Sequence, residues 1–508
     1  MKKVLCAIFA FAMVLSLAAC NGDGGNGPDP LDYVLEVPSN YADAEMAAQG
    51  TVLADYSEGI MLPELSNNKV SVMMSIDWSN LQQGNNEEEP YAQYHATLMW
   101  RSVYDGGDVE IITITDEQQT DFVATQTASG TAPDIIPANY DLTYPRWNAA
   151  GLTASIEDYA DYLGLYEKNP NKPEEDLYNQ ELMDKYFQWG GESHGAITLA
   201  EVNRNYIIYN KTKFELAGQK TPLEHWQEGN WNWTQFVKTA KAMTSGTDYG
   251  FTGWGLFPYF APYTMAELNE EDGTVQLNID DPKYVRYMTE VYNLYQKENA
   301  ARRDIALQSW GTLFPMGTDA MVQNTKDGYK RVVEAAKRVD GDTFGIAPVP
   351  VFDPTGETES IATATLWAYS ISSAAENPIG AATYIRLETL VARNIQAALE
   401  GKNWYDLNLT EDEKAMLEET KDDPVAMEMI RGIGDCYLGI VDAKIVPPMY
   451  YEENQNSVQS IFDANKAALE EEFEEFNQTV QEIAEELAAE QAEAEAEAEA
   501  EEAEAEEA

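Results

Sequence analysis

Histidine, cysteine and positive charge are all scarce in this chain, and each scarcity closes off a class of function. The three histidines, His95, His194 and His225, stand far apart, with no cysteine beside them and no HExxH spacing. Neither a zinc centre nor a histidine-based triad is expected from them, and the reading calls for no metal and no cofactor. Lysine and arginine number 32 against 88 aspartates and glutamates, a net charge of −56. Nucleic acid is thereby excluded as a partner, because phosphate backbones are held by a basic excess. A GxSxG elbow, a Walker loop and a GxGxxG turn between strand and helix are all missing, which removes the common nucleophilic, nucleotide and dinucleotide classes. Carboxylates are so numerous that no pair of them argues for or against a glycosidase. Beyond the first residues, no stretch approaches the roughly eighteen consecutive apolar residues of a membrane helix.

What is present begins at the N-terminus. Lys2 and Lys3 precede an apolar run from Val4 to Leu15 that is too short to stay in a bilayer, the pattern of an export signal. Leu17, Ala18, Ala19 and Cys20 then resemble the lipobox of bacterial lipoproteins. The resemblance implies that the mature chain begins at a lipidated Cys20, and two acyl chains suffice for stable anchoring. The segment NGDGGNGPDP that follows has nothing to bury and reads as a flexible tether. The protein is expected outside the cytoplasm, at the outer face of the cytoplasmic membrane of a Gram-positive bacterium. Cys6 leaves with the signal and Cys20 takes lipid, so Cys436 has no partner for an intramolecular disulfide and reads as a small buried hydrophobe.

The body has ample material for two or three domains: 508 residues, 44% hydrophobic and 11% aromatic. Part of the negative charge sits at the far end, where no basic residue follows Lys466 and Gln491 to Ala508 is an Ala/Glu alternation. Without an apolar stripe, that tail is expected to be a solvated, fraying extension.

From Val70 onward, short apolar runs alternate with helical periods, the pattern of α/β layering with parallel strands. Val70 to Ile76, Val109 to Thr115 and Asp134 to Pro137 read as strands, the last followed by the turn Ala138, Asn139, Tyr140. Tyr91 to Tyr104 and Asp116 to Ser129 read as the intervening helices. Asn232 is placed to cap a helix over Trp233 to Thr244, with Gln235 completing a capping box and Trp233, Phe236, Val237, Ala240 and Met243 forming its apolar face. Asp281 and Pro282 open another helix with Val285, Met288, Tyr292 and Tyr295 in one stripe, and Asn377 and Pro378 open a third. No period of 20 to 50 residues recurs, which argues against repeat architectures.

Four segments together resemble the extracellular solute-binding proteins of ABC importers, in particular the sugar-binding group that includes maltose-binding protein. They are PDIIPAN at 133 to 139; YIIYNKTKFELAG at 206 to 218 with NWNWTQFVKTAKAMT at 230 to 244; GTDAMVQNT at 317 to 325; and FGIAPVPVFDP at 344 to 354 with LWAYSISSAAENPIGAATYI at 366 to 385. The resemblance implies an α/β, two-lobe periplasmic-binding-protein-like fold of type II, with a ligand cleft between lobes joined by crossing hinge strands. The implied division is a signal over 1–19, tether and extension over 20–68, lobe 1 over 69–205 with 362–405, lobe 2 over 206–361 with 406–487, and the tail over 488–508.

Carried over by position, the resemblance puts Asn139 and Tyr140 at the cleft, where the carboxyl end of a strand also places them independently. Asp77 and Trp78 follow the neighbouring strand. Asn203 and Arg204 fall where the family has a polar ligand contact, although maltose-binding protein has an acid there, which leaves a shared sugar open. Tyr259 of PYF matches a ligand-touching tyrosine, and Trp254, Asn324, Tyr329 and Tyr450 lie near matched segments. Trp231, Trp233 and Trp310 are assigned to the core. A pyranose suits such a set, since its C–H faces stack on Trp and Tyr while its hydroxyls bond planar Asp, Asn and Arg groups. The implied function is capture of an oligosaccharide by a monomer that presents it to a membrane permease, without catalysis. A surface glycoside hydrolase and a non-transport glycan-capture protein remain as alternatives.

Overall fold

The computed structural model describes residues 61–74, 92–138, 146–197, 203–253, 263–303, 314–352, 362–399 and 409–507, with short gaps inside some of these ranges, and the two-residue strand 35–36. The described chain divides into two compact units. Unit 1 holds residues up to 200, 367–402 and 482–508; unit 2 holds 201–366 and 403–481. The chain changes unit at 200/201, 366/367, 402/403 and 481/482.

Unit 1 opens with β1 (Lys69–Met74), α1 (Ala92–Val103), β2 (Asp108–Thr113), α2 (Asp116–Ser129) and β3 (Ile135–Pro137). Each lies within a residue or two of its expected span. The chain then enters unit 2 through β4 (Asn203–Asn210), followed by α3 (Trp233–Met243), α4 (Pro282–Gln296), β5 (Met321–Thr325), β6 (Phe344–Pro348) and β7 (Ala362–Thr365). It returns to unit 1 for β8 (Tyr369–Ile371) and α5 (Pro378–Leu399). Unit 2 is completed by α6 (Glu411–Thr420) and β9 (Val425–Ala426), and α7 runs from Val458 to Glu507.

The sheet of unit 1 has the order β8, β3, β1, β2. β1 is parallel to both β2 and β3, and β8 is antiparallel to β3. Its core gathers Met73, Ile136, Val123, Trp147 and Leu152, with Ile114 and Phe122 packed against them. Helix α5 buries residues around most of its circumference, including Ala381, Tyr384, Ile385, Leu387, Glu388 and Val391, as a helix enclosed by a domain does. Asp134 ties the base of this sheet together. One of its oxygens accepts from the Ser71 amide and hydroxyl, both at 2.8 Å, and the other accepts from the Asn377 amide at 2.7 Å at the head of α5.

In unit 2, β4 is the central strand. β5 pairs with it on one side, and β6 and β7 pair along the other, all antiparallel. The core is aromatic: Phe236 meets Trp231 edge-on at 5.9 Å and Phe251 edge-on at 5.3 Å, and Trp233 lies 5.6 Å from Phe352. Such pairs add about 0.5–1.5 kcal/mol beyond their burial. Trp231 and Trp233 are in the core as expected, whereas Trp310 lies outside the described residues.

Two local expectations change. The Asn232 side chain does cap α3, accepting from the Gln235 amide at 3.0 Å, but the reciprocal half of the capping box is not made. The Gln235 amide group instead reaches His225 and Thr239, both at 3.1 Å. The fifty residues of α7 form one helix through Glu507, in place of a frayed tail. Intrinsic helix preference of Ala and Glu accounts for its continuity, while Phe473, Phe476 and Val480 bury its earlier part.

Candidate functional site

The chain order of unit 1 creates a topological switch. From β1 the chain passes to β2 on one side and then returns to β3 on the other, so the carboxyl ends of β1 and β3 diverge from a shared point. Ligands of open α/β sheets bind outside the carboxyl ends at such a point. Asp77 and Trp78 come three and four residues after β1 ends, and Asn139 and Tyr140 two and three after β3 ends. All four lie outside the described residues. The last described position, Ala138, is fixed by its amide, which donates to the Ala368 carbonyl at 2.8 Å beside β8.

In unit 2 the strand register draws a second set to one end of the sheet. Asn205 pairs with Thr325 and Tyr206 with Asn324, so the start of β4 lies against the end of β5. Residues 251–252 run alongside β5, where Thr252 bridges Val322 in parallel and its amide donates to the Met321 carbonyl at 2.9 Å. Trp254 follows two residues later in sequence; it and Tyr259 lie outside the described residues. Asn203, whose side chain is also outside them, pairs through its backbone with Thr365.

Asn324 is almost fully buried, and its Oδ1 accepts from the Thr325 amide at 2.8 Å. Its Nδ2 is buried without a hydrogen-bond partner among the described residues, as is the Thr252 hydroxyl oxygen. Two orphaned polar atoms along β5, Thr252 standing beside Val322 and Asn324 two residues further on, are unusual, because buried polar groups are nearly always satisfied. The close approach of Gly328 helps to enclose Asn324, since a Cβ there would stand 2.0 Å from Oδ1. Thr252 and Gly328 carry no motif in the sequence; the Thr252–Val322 bridge, across 70 residues, reveals the first and the close approach to Asn324 reveals the second.

The other described candidates are engaged within unit 2. Arg204 is buried, and its guanidinium donates to the carbonyls of Thr420 and Asp423 at the end of α6, 4.0 Å from the Asp423 carboxylate. A cation is favourable at that helix terminus. Tyr329 is fully buried, and its hydroxyl donates to the Phe344 carbonyl at 3.2 Å. Tyr450 lies in a π-helical turn, Pro447–Tyr451, with its ring 5.0 Å from that of Tyr295. Cys436 is buried, opening a longer π-helical stretch to Ile445. No group of three or more His, Cys, Asp or Glu residues suited to a metal occurs among the described residues. Nor is any helix among them long and apolar enough to cross a membrane.

Two α/β units between which the chain passes four times, with polar groups at strand ends, define a ligand-binding protein. Residues 78–387 match the bacterial extracellular solute-binding protein family, and the chain belongs to it. Its fold is the two-lobe, type II form. Among solved structures, it resembles an ABC substrate-binding protein of Listeria monocytogenes in complex with cycloalternan, at 16% identity and a TM-score of 0.53, over 81% of this chain and 99% of that one. It also resembles the galacto-N-biose-/lacto-N-biose I-binding protein of the ABC transporter from Bifidobacterium longum, in complex with lacto-N-biose, at 13% identity and a TM-score of 0.56, over 81% and 98%. A third is UgpB of Mycobacterium tuberculosis in complex with glycerophosphocholine, at 13% identity and a TM-score of 0.54, over 81% and 99%. No curated protein matches the chain in sequence. The family and these neighbours are binding proteins rather than enzymes.

Proposed function

We propose that this protein is the lipid-anchored, solute-capturing component of an ABC importer, and that its solute is a carbohydrate of oligosaccharide size. The observation that carries the reading is the family match over 78–387; in sequence, Asp77 and Trp78 follow one of the two strands that diverge at the switch point, and Asn139 and Tyr140 follow the other. The buried, unpartnered Asn324 amide adds a donor suited to a sugar hydroxyl. Trp254 and Tyr259 supply stacking faces, and Asn203 lies at the same sheet end as Asn324. Arg204 contributes indirectly, by holding the start of β4 to α6. Capture by closure of the two lobes hands the sugar, chemically unchanged, to the permease. The glycan ligands of the Listeria and Bifidobacterium neighbours support the solute class.

Isothermal titration of the mature chain against maltodextrins, galacto-oligosaccharides and a glycerophosphodiester tests the solute. Saturable binding of a glycan without release of reducing ends is expected. Binding of the phosphodiester alone would overturn the carbohydrate assignment, and turnover would overturn capture. For the anchor, Cys20→Ser is expected to move the protein from the membrane fraction to the medium as a monomer. Retention of that variant at the membrane would dispose of lipidation.

A further inference from the structure

Between α1, β8 and α5 of unit 1 lies a carboxyl group that solute capture does not use. Glu388, on α5, is 1% exposed. It accepts a hydrogen bond from the Tyr369 hydroxyl of β8, and the Gln93 side chain on α1 bonds that same phenol. The other carboxyl oxygen, Oε2, is buried with no hydrogen-bond partner among the described residues.

Among the described residues, the groups facing this carboxyl do not offer a cation. On α5 itself, the Tyr384 hydroxyl is bonded to that of Thr97 on α1, at 2.9 Å. Tyr178 is close enough to sense the Glu388 charge, and its hydroxyl donates to the Leu163 carbonyl at 3.0 Å. Arg386 is held by Glu167 at 2.8 and 2.9 Å, Arg393 donates to the Leu177 carbonyl at 3.0 Å, and Arg101 donates to the Val109 carbonyl at 3.1 Å. His95 is two residues from Gln93 and Thr97, and so on another face of α1. Burial pushes the Glu388 carboxyl up to about 8, with the Tyr369 hydrogen bond opposing it. The group is therefore a neutral acid at pH 7.

Its position gives this neutrality a consequence. The Tyr369 amide donates to the Ala196 carbonyl at 3.0 Å, and the Ala196 amide returns to Tyr369 at 2.8 Å. The chain leaves unit 1 shortly after Ala196 and re-enters it shortly before Tyr369. On its other edge Tyr369 pairs with Pro137, the last residue of β3, just ahead of Asn139. One residue thus joins the unit 1 ends of the outgoing and returning segments to the strand that leads to the switch point.

We propose that Glu388 is a proton-operated latch on β8: neutral, it seats Tyr369; ionised, with no cation to pair it, it opens the seam between α5 and β8. A buried, unpaired charge draws in water or expels the group that carries it. The sign follows from linkage: the folded carboxyl titrates near 8 and the released one near 4.5, so rising pH favours release across that window. The inference does not depend on which solute is bound.

Amide hydrogen exchange at Tyr369 and Ala196 of the full chain, corrected for intrinsic rates, tests the latch. Protection is expected to fall roughly tenfold per pH unit between about pH 5 and 8 and then to level off. Glu388→Gln should abolish that slope. A flat wild-type profile, or the same slope in Glu388→Gln, would overturn the proposal. Infrared titration of the wild type covers the case in which that variant does not fold. A protonated carboxyl band should persist at pH 7 and vanish with a midpoint near 8, and its absence at pH 7 would be equally fatal. Tyr369→Phe should move the midpoint upward, because it removes the one bond that favours the ion; an unmoved midpoint would remove Tyr369 from the latch.

Discussion

Arg302 and Asp319 form a two-pronged ion pair in the interior of unit 2, the guanidinium Nε and Nη2 donating to the two carboxylate oxygens at 2.7 and 2.6 Å. The carboxylate also accepts from the Tyr249 amide at 3.0 Å, and the guanidinium donates to the Thr247 carbonyl at 3.0 Å while lying 4.9 Å from the centre of the Tyr249 ring. The pair therefore pins the segment before Thr252 to the approach of β5. Asp319→Ala removes the counter-ion of a buried cation and is expected to cost about 3–5 kcal/mol. Urea unfolding measures it, and a loss below about 1 kcal/mol would mean that the site is open to water.

His194 gives a pH dependence of the opposite sign to that of Glu388. Burial lowers its pKa to about 4, and its Nδ1 lies 3.1 Å from the Thr153 hydroxyl. A histidine depressed on folding binds fewer protons than in the unfolded chain. Its contribution is therefore complete above the unfolded value near 6.5 and is lost as pH falls toward 4. Folding stability is expected to drop by roughly 2–3 kcal/mol over that interval. Thermal unfolding at pH 7, 6, 5 and 4 should show the decline, and His194→Gln should flatten this part of it.

Phe236 stands where three aromatic contacts converge, with Trp231, Trp233 and Phe251 around it. Phe236→Ala is expected to destabilise unit 2 by about 3–5 kcal/mol through the cavity left behind. Phe236→Leu, which keeps much of the volume, should cost less than half as much. Equal costs for the two variants would show that ring geometry rather than filled volume holds this core.

How far the sequence could be read depends on the range of the interactions involved. The Asn232 cap and the span Asp116–Ser129 were legible because a cap and a helical period involve neighbours in sequence. The second half of the capping box failed because Gln235 finds His225, which no local rule anticipates. Cys436–Ile445 and Pro447–Tyr451 were not legible as helix, since Pro447 and Pro448 argue against one and π-helical turns carry no periodic signature. The resemblance, carried over by position, put Arg204 among the ligand contacts; its carbonyl partners, 216 and 219 residues away, were not legible. Thr252 escaped notice for the same reason.

Arg204 and Asn324, grouped together by the sequence, should behave in opposite ways when replaced. Arg204 donates to two carbonyls at the end of α6, so Arg204→Met strands buried acceptors and is expected to lower stability by about 1–3 kcal/mol. The Asn324 side chain is held only at Oδ1, by the Thr325 amide, while Nδ2 has no partner among the described residues. Asn324→Leu gives up that one bond and removes an unsatisfied donor, so the unfolding midpoint of the ligand-free chain should change little. If that amide meets a sugar hydroxyl, the same substitution should weaken glycan binding by about 0.5–1.5 kcal/mol, up to roughly tenfold. Calorimetric titration and thermal unfolding of both variants separate the roles. A fall in stability for Asn324→Leu with unaltered affinity would make Asn324 a core residue, leaving recognition in unit 2 to Trp254, Tyr259 and Asn203.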